Sequence, residues 1–470
     1  MGEAMKHELD YFFHPDGVAI LGASGIAGSD GFYILRNVCA GYTGKVYPVN
    51  PKYQELLGIP CYPDIESIPD RVECLIYFIP ARFILDIIRR SAAKGIKAII
   101  IESAGFAEAG KEGAKLQKDA VELAHSLGIR LWGPNCMGYL DGHTRNVFSF
   151  VHSEKWKTMM YPGDVTLIVQ SGMLSAGFLM SVLERDAIGI SKVCSIGNKC
   201  DVNEIDLLEY FVQDDTTGAI GCYLESIVDG KKLLKIAQST SKPIVILKSG
   251  RSEQGKKAAL SHTASLAGNT MVVSGAFKQA GIVQVVDLYE LIDIVKAFSY
   301  IKNYRPEPDK GVAVMTFSGG AGIVTTDLLA DYAIPIAQPQ EATLQKVQKL
   351  YPSWMSASHP LDLWPAIEQN GSEKVYTSVA KALMEDERVD SIIIECFATQ
   401  HSDPSFWGEI GNMVKQSKKP VLAWAVGEKI MVEQYKKHAE ASGIPFFGEI
   451  GRCVQIFKAL RFHFNKRGSI

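Results

Sequence analysis

No stretch of this 470-residue chain is apolar for long enough to cross a bilayer. Its longest apolar runs, such as Ala98-Ile99-Ile100-Ile101, have the length of a buried strand, whereas a span needs about 18 or more residues. The opening MGEAMKHELD has no apolar signal core, so a cytoplasmic protein that does not enter the membrane is expected. An excess of one charge is missing too. With 49 basic and 52 acidic residues the net charge is −3, which speaks against general affinity for nucleic acid or an anionic membrane. No Ser-, Gln- or Pro-rich block of the kind that stays disordered is present. The nine cysteines are an odd number without a C-x-x-C pair, so neither a disulfide framework nor a zinc cage is expected, and most should be small buried apolar residues. The ten histidines show no H-E-x-x-H spacing, and no metal site is expected. A Walker loop G-x-x-x-x-G-K-[ST] is also absent, which leaves the chain without that cradle for nucleotide phosphates.

What is present is 47% apolar residues, 42 glycines and enough chain for several cores, at roughly 150 residues per domain. One local pattern is written three times. Val18-Ala19-Ile20-Leu21 runs into Gly22-Ala23-Ser24-Gly25, Val165 to Val169 into Gln170-Ser171-Gly172, and Val312 to Met315 into Ser318-Gly319-Gly320-Ala321-Gly322, each followed by a helical pattern. Polar, proline-bearing stretches, Ser153 to Asp164 and Asn303 to Lys310, lie between the repeats. Short apolar strands alternating with longer amphipathic segments predict parallel sheets with helices on both faces. The expectation is an α/β protein of three doubly wound domains, at residues 1–152, 160–303 and 310–470.

Ligands of such sheets bind at the carboxyl ends of the strands, where the three glycine loops fall. Helix N-termini there present unsatisfied N–H groups to an anion. Ser171 and Gly172 open one such helix, Gly320 and Gly322 another, and an anion is expected at these loops, with close strand-to-helix packing as the competing reading. In the first loop, Gly22-x-x-Gly25-x-x-Gly28 lacks the G-x-G start of a dinucleotide fingerprint. The next strand ends in Asn50-Pro51-Lys52 instead of the carboxylate that accepts from the ribose of NAD. A lysine there suits an additional phosphate near the ribose, either that of NADP or that of coenzyme A. After the third strand, Phe78-Ile79-Pro80-Ala81-Arg82 offers Pro80 as a rigid shelf beside a ligand, though an ordinary strand-to-helix turn accounts for it equally well.

One histidine stands apart. His262 lies in Ser261-His262-Thr263-Ala264-Ser265-Leu266-Ala267-Gly268, a run of small and hydroxylic residues with no bulky packing to do. Imidazole is a nucleophile that can carry a phosphoryl group, and a plain surface-loop histidine is the competing reading.

That run resembles the phosphohistidine loop of the ADP-forming acyl-CoA synthetases, the superfamily of succinyl-CoA synthetase. The resemblance covers nearly the whole chain. A Rossmann-like coenzyme A domain is matched by Ala19 to Gly28, Tyr47 to Lys52, Phe78 to Arg82, Glu102 to Phe106 and Gly133-Pro134-Asn135-Cys136. Two flavodoxin-like ligase domains are similar to Gln170-Ser171-Gly172 with Tyr223-Leu224-Glu225-Ser226, and to Ser318-Gly319-Gly320-Ala321-Gly322 with His359-Pro360-Leu361-Asp362. The order resembles an alpha subunit. The resemblance implies His262 as phosphoryl carrier and Glu225 as the glutamate that holds its loop. It also implies phosphate at Ser171, Gly172, Gly319, Gly320 and Gly322, and coenzyme A at Gly22, Ser24, Gly25, Gly28, Asn50, Lys52, Ile79, Pro80, Glu102 and Asn135. Acyl-CoA, phosphate and ADP would be interconverted with a carboxylic acid, ATP and coenzyme A through an acyl phosphate. ADP or ATP with its Mg would sit on an ATP-grasp beta subunit of a hetero-oligomer. Two departures stand out: Ala264 where such loops usually carry glycine, and Thr316-Phe317-Ser318 where acetate-utilising members commonly read N-A-G-G-P-G, which bears on the acyl group. A coenzyme A or acyl-CoA sensor without catalysis and an NADP-dependent dehydrogenase are the rival readings.

Overall fold

Strands buried on both faces read as continuous apolar runs, and that is how the three sheets are assembled. The computed structural model describes residues 6–152, 160–172, 177, 180, 188–255, 257 and 269–467. They form two units that divide between Leu291 and Ile292, each described by itself. The His262 loop lies outside the described residues. Among the described residues no helix is long and apolar enough to cross a membrane.

The first unit holds two large sheets and a two-stranded antiparallel pair, Glu55–Leu56 with Ile59–Pro60. The first has the order Lys45–Val49, Gly17–Leu21, Cys74–Tyr77, Ala98–Ile101, Arg130–Trp132, all parallel, with the middle three strands buried along their whole length. Counted along the chain the order is 2-1-3-4-5, which puts the crevice between the first and third strands. Local chemistry sets the helix ends. Ser29 Oγ accepts from the Phe32 N–H to start Asp30–Gly41, and Gly95, at φ 86°, ends Ile84–Lys94.

The second sheet repeats that order with Pro162–Val169, Ile190–Ser195, Ala219–Leu224, Ile244–Lys248 and Val283–Val285. Two strands from earlier in the chain, Tyr139–Asp141 and Val147–Phe148, extend its edge in antiparallel fashion. The two sheets therefore share a core. Helix Asp10–Phe13 feeds Phe13 into it, 5.7 Å from the Trp132 ring and 5.1 Å from Tyr210. The Tyr139 hydroxyl donates to the Phe12 carbonyl (2.8 Å), and the Trp132 indole N–H to the Ser195 carbonyl (2.8 Å).

In the second unit Leu361–Asp362, Gly311–Thr316, Val389–Ala398, Val421–Gly427 and Phe446–Phe447 make a parallel sheet, again in 2-1-3-4-5 order. Of the nine cysteines, all free thiols, seven are buried, as their apolar setting predicts.

Where the first two sheets meet, their loops touch backbone to backbone. Asn198 N–H donates to the Pro134 carbonyl and Cys200 N–H to the Gly133 carbonyl, each at 2.9 Å, and Val202 N–H to Leu131 at 3.0 Å. A Cβ on Gly197, at φ +52°, would come within 2.2 Å of the Pro134 oxygen. Gly197→Ala should therefore cost more than backbone strain alone, about 2 kcal/mol or more. Gly128→Ala, at φ +69° but in open space, should cost about 1 kcal/mol. Denaturant unfolding of the two variants measures the difference, and equal losses would mean that the contact at Gly197 carries no load.

Candidate active site

A cavity of about 460 Å³ opens in front of the third, fourth and fifth strands of the first sheet. Its walls are Phe78, Ile79 and Pro80 after the third strand, Glu102, Ser103 and Ala104 after the fourth, and Asn135, Cys136 and Met137 after the fifth, closed by Phe150 and by Gly172 from the second sheet. Such a lining, largely apolar with a few placed polar groups, is that of a small-molecule site. Of the expected site residues, the cavity unites Ile79, Pro80, Glu102, Asn135 and Gly172. Asn135 sits at φ 54°, its N–H donating to the Ser103 carbonyl at 3.1 Å. Helical backbone begins at Gly172, beside the half-buried Ser171.

The glycine loop of the first strand lines a neighbouring surface and not this cavity. Gly22 is at φ +101°, and a Cβ there would meet the Phe78 carbonyl oxygen at 2.3 Å. Gly31, missing from the expected set, opens the following helix, and a Cβ on it would meet the Gly22 oxygen at 2.4 Å. It does the close-packing work of the third fingerprint glycine, a signal that was in the sequence. Ser24 Oγ accepts from Ile26 N–H (3.1 Å), Gly25 packs on Tyr53 and Leu56, and Gly28, at φ +88°, faces open space. Asn50 ties the two loops together. Its side-chain amide donates to the Ala23 carbonyl (2.8 Å) while its oxygen accepts from Lys52 N–H (3.0 Å), and Lys52 itself is exposed.

Glu225 lies just past the third strand of the second sheet and is buried. Its own N–H and that of Ser226 both donate to Gln170 Oε1, at 2.8 and 3.1 Å. Two buried lysines unforeseen from the sequence, Lys199 and Lys248, stand beside it.

In the second unit, the helix Gly319–Asp331 begins under a carboxylate: Gly319 N–H donates to Asp362 Oδ2 at 2.8 Å. The Gly322 N–H bonds the Ser318 carbonyl, and a Cβ on Gly322 would press on Thr316 and Pro360 at 3.0 and 3.1 Å. Gly320 is exposed. The motif around Asp362 is structural at its other end, because His359 Nε2 accepts from Val314 N–H at 2.8 Å. Burial lowers that imidazole to about 4, which keeps it neutral and able to accept.

Residues 16–141 match the CoA binding domain family and residues 162–298 the succinyl-CoA ligase like flavodoxin domain. The alpha subunit of ADP-forming acetate–CoA ligase II from Pyrococcus furiosus is 34% identical over 448 residues, 93% of this chain and 94% of that one. The chain belongs to the ADP-forming acetate–CoA ligase family. Another member, ADP-forming acetate–CoA ligase II of Archaeoglobus fulgidus, is 35% identical over 96% of this chain, which spans 66% of that longer protein. The fold agrees with that of the family: the dinucleotide forming acetyl-coenzyme A synthetase 1 of Ca. Korarchaeum cryptofilum, solved with phosphate and ADP, has a TM-score of 0.88 and 32% identity. The match covers 98% of this chain and 97% of that one.

Glu102 is the most unusual group in this cavity. Its Oε2 accepts from Phe150 N–H (3.2 Å), and Oε1 has no hydrogen-bond partner among the described residues. Burial pushes its carboxyl well above the usual range, against the pull of the Phe150 N–H and with a small push from Asp30. The native state thus holds this proton more firmly than the unfolded chain does. That stability is complete below the ordinary glutamate value and is lost as pH rises through the raised native one. Glu102→Gln, uncharged throughout, should raise the melting temperature relative to the parent more at pH 8 than at pH 5. A difference that is constant with pH would mean that the carboxyl titrates normally.

Proposed function

We infer that this chain is the alpha subunit of an ADP-forming acyl-CoA ligase of the acetate type, working in the cytoplasm. The observation that carries the reading is the cavity itself, in which Ile79, Pro80, Glu102 and Asn135 of a CoA-binding sheet meet Gly172 of a succinyl-CoA-ligase-like sheet. Thioester and phosphate chemistry belong together there. Lys52, held next to the glycine loop through Asn50, binds the 3′-phosphate of coenzyme A. Ile79 and Pro80 flank the pantetheine arm, and the helix opening at Ser171 and Gly172 receives inorganic phosphate, the N-terminal N–H groups and dipole stabilising its charge.

The reaction then runs in three displacements. A phosphate oxygen attacks the thioester carbonyl carbon, the C–S bond breaks, and the thiolate takes up a proton as coenzyme A leaves. An imidazole nitrogen of His262 attacks phosphorus in the acyl phosphate and the carboxylate departs. The terminal phosphate oxygen of ADP finally takes the phosphoryl group and restores His262. Glu225 accepts from the other ring N–H and so orients the imidazole. The nucleotide and its Mg are assigned to an ATP-grasp beta subunit, because this sequence carries no Walker loop. The relative named as an alpha subunit supports a separate partner chain.

Radiolabelled acetyl phosphate tests the central step. A phosphoramidate is acid-labile and base-stable, unlike the esters that Ser261 or Ser265 would form. Acid-labile label should appear on the parent chain and vanish in His262→Ala, while release of coenzyme A from acetyl-CoA and phosphate survives in part. Label that persists in His262→Ala would refute the relay. Calorimetry tests the other end: dephospho-coenzyme A should bind more weakly than coenzyme A, and equal affinity would remove Lys52 from the site.

A further inference from the structure

The turn after the third strand of the second sheet is held from three sides by side chains with no part in the regular fold. Gln170, from the end of the first strand, accepts both turn N–H groups through Oε1. Lys248, closing the fourth strand, donates from Nζ to the Glu225 carbonyl and to the Ser249 carbonyl, each at 2.7 Å. Lys199, following the second strand at φ 46°, donates to the Ser226 carbonyl and to Glu204 Oε2, each at 2.8 Å. Glu204 completes the frame, its Oε1 accepting from Val228 N–H at 2.6 Å. The two strands that flank Ala219–Leu224 contribute Gln170 and Lys248, and the segment after Ile190–Ser195 contributes Lys199 and Glu204.

Water would satisfy these backbone groups at a surface turn. Here they are satisfied instead by Lys248, Lys199, Gln170 and Glu204, all buried. Burying ammonium groups carries a desolvation penalty, and burial does lower the proton affinity of both lysines. A fold that needed only to end a strand has cheaper means. What the clamp achieves is a turn whose backbone is held at Glu225, Ser226 and Val228, which sets the point from which the Glu225 side chain leaves; its Oε1 accepts from the Tyr223 hydroxyl at 3.5 Å. Two ammonium groups also stand close enough to Glu225 to interact with its charge.

We propose that Lys248 and Gln170 are positioning residues that fix the Glu225 carboxylate for the phosphohistidine step. This rests on the reading that Glu225 orients His262. Their effect is confined to that step: neither lines the coenzyme A cavity, so formation of the acyl phosphate does not depend on them.

The test is a double-mutant cycle on the full chain, read as the initial rate of acid-labile label uptake from radiolabelled acetyl phosphate. Lys248→Met should slow uptake by about tenfold or more, the scale at which loss of an orienting partner is felt. Coenzyme A affinity and coenzyme A release from acetyl-CoA and phosphate should stay at the parent level. Lys248→Met added to Glu225→Gln should cost little beyond Glu225→Gln alone, because both act through one carboxylate. Gln170→Met carries the same prediction if Lys248→Met does not fold. Independent, multiplying losses in the double variant, or a parallel loss of coenzyme A affinity, would overturn the proposal while leaving Glu225 its role. Normal uptake by Glu225→Gln would overturn the reading of Glu225 and this proposal with it.

Discussion

The cavity exists because one strip of backbone, Leu131 to Met137, is gripped by the sheet next to it. The segment from Ile196 to Val202 bonds that strip at Leu131, Gly133 and Pro134, and Met137 N–H donates to Ser195 Oγ at 3.1 Å. Gly197 permits the approach, since any side chain there would strike the Pro134 oxygen. The consequence reaches the chemistry. Asn135, Cys136 and Met137 form one wall of the site, and a loop of that length left to itself would sample many conformations. Joined to the second sheet, it brings the wall and Gly172 to one cavity.

The first unit accepts several buried charges, and each is handled differently. Lys192 is answered by Asp214 at 3.0 Å and by the Thr216 hydroxyl, also at 3.0 Å. Lys199 is paired with Glu204, and Lys248 is given two carbonyls. Burial disfavours the charges of Lys199, Lys248 and Glu102 alike, and of these Glu102 is the one that borders the cavity. A buried carboxyl that stays neutral donates as well as accepts. Lys199 and Lys248 of the second sheet hold backbone carbonyls, whereas at Glu102 burial favours the uncharged form of a carboxyl that borders the cavity.

Much of this was legible locally. The three strand, glycine and helix openings are short-range patterns, and each became the first strand of a sheet in 2-1-3-4-5 order. Asn50 and Pro80 were within reach because they follow strands that the apolar runs reveal, whereas Glu102 and Asn135 were reached through the family resemblance. The remainder depends on partners distant in the chain. Nothing near Tyr139 or Val147 tells that they will pair with a sheet whose strands begin at Pro162. Phe12 and Phe13 look like surface aromatics of a short helix until Trp132 and Tyr210 are placed around them. Lys199 and Lys248 read as ordinary cations at strand ends, and only the turn at Glu225 makes them buried donors.

The repeated glycine openings also show how one local pattern acquires different chemistry. Backbone N–H groups at a helix start attract an anion from wherever one is available. At Gly319 the chain supplies its own, the Asp362 carboxylate, through a strand that pairs with Gly311–Thr316 only after some forty residues of intervening chain. Gly172 in the second opening instead lines a largely apolar cavity. In the first opening, Gly22 and Gly31 serve mainly to bring strand, loop and helix close enough that Asn50 can lock the loop. Sequence similarity among the three openings therefore predicts their backbone path, but the residue that arrives at each helix start from elsewhere in the chain decides whether a ligand has room to bind.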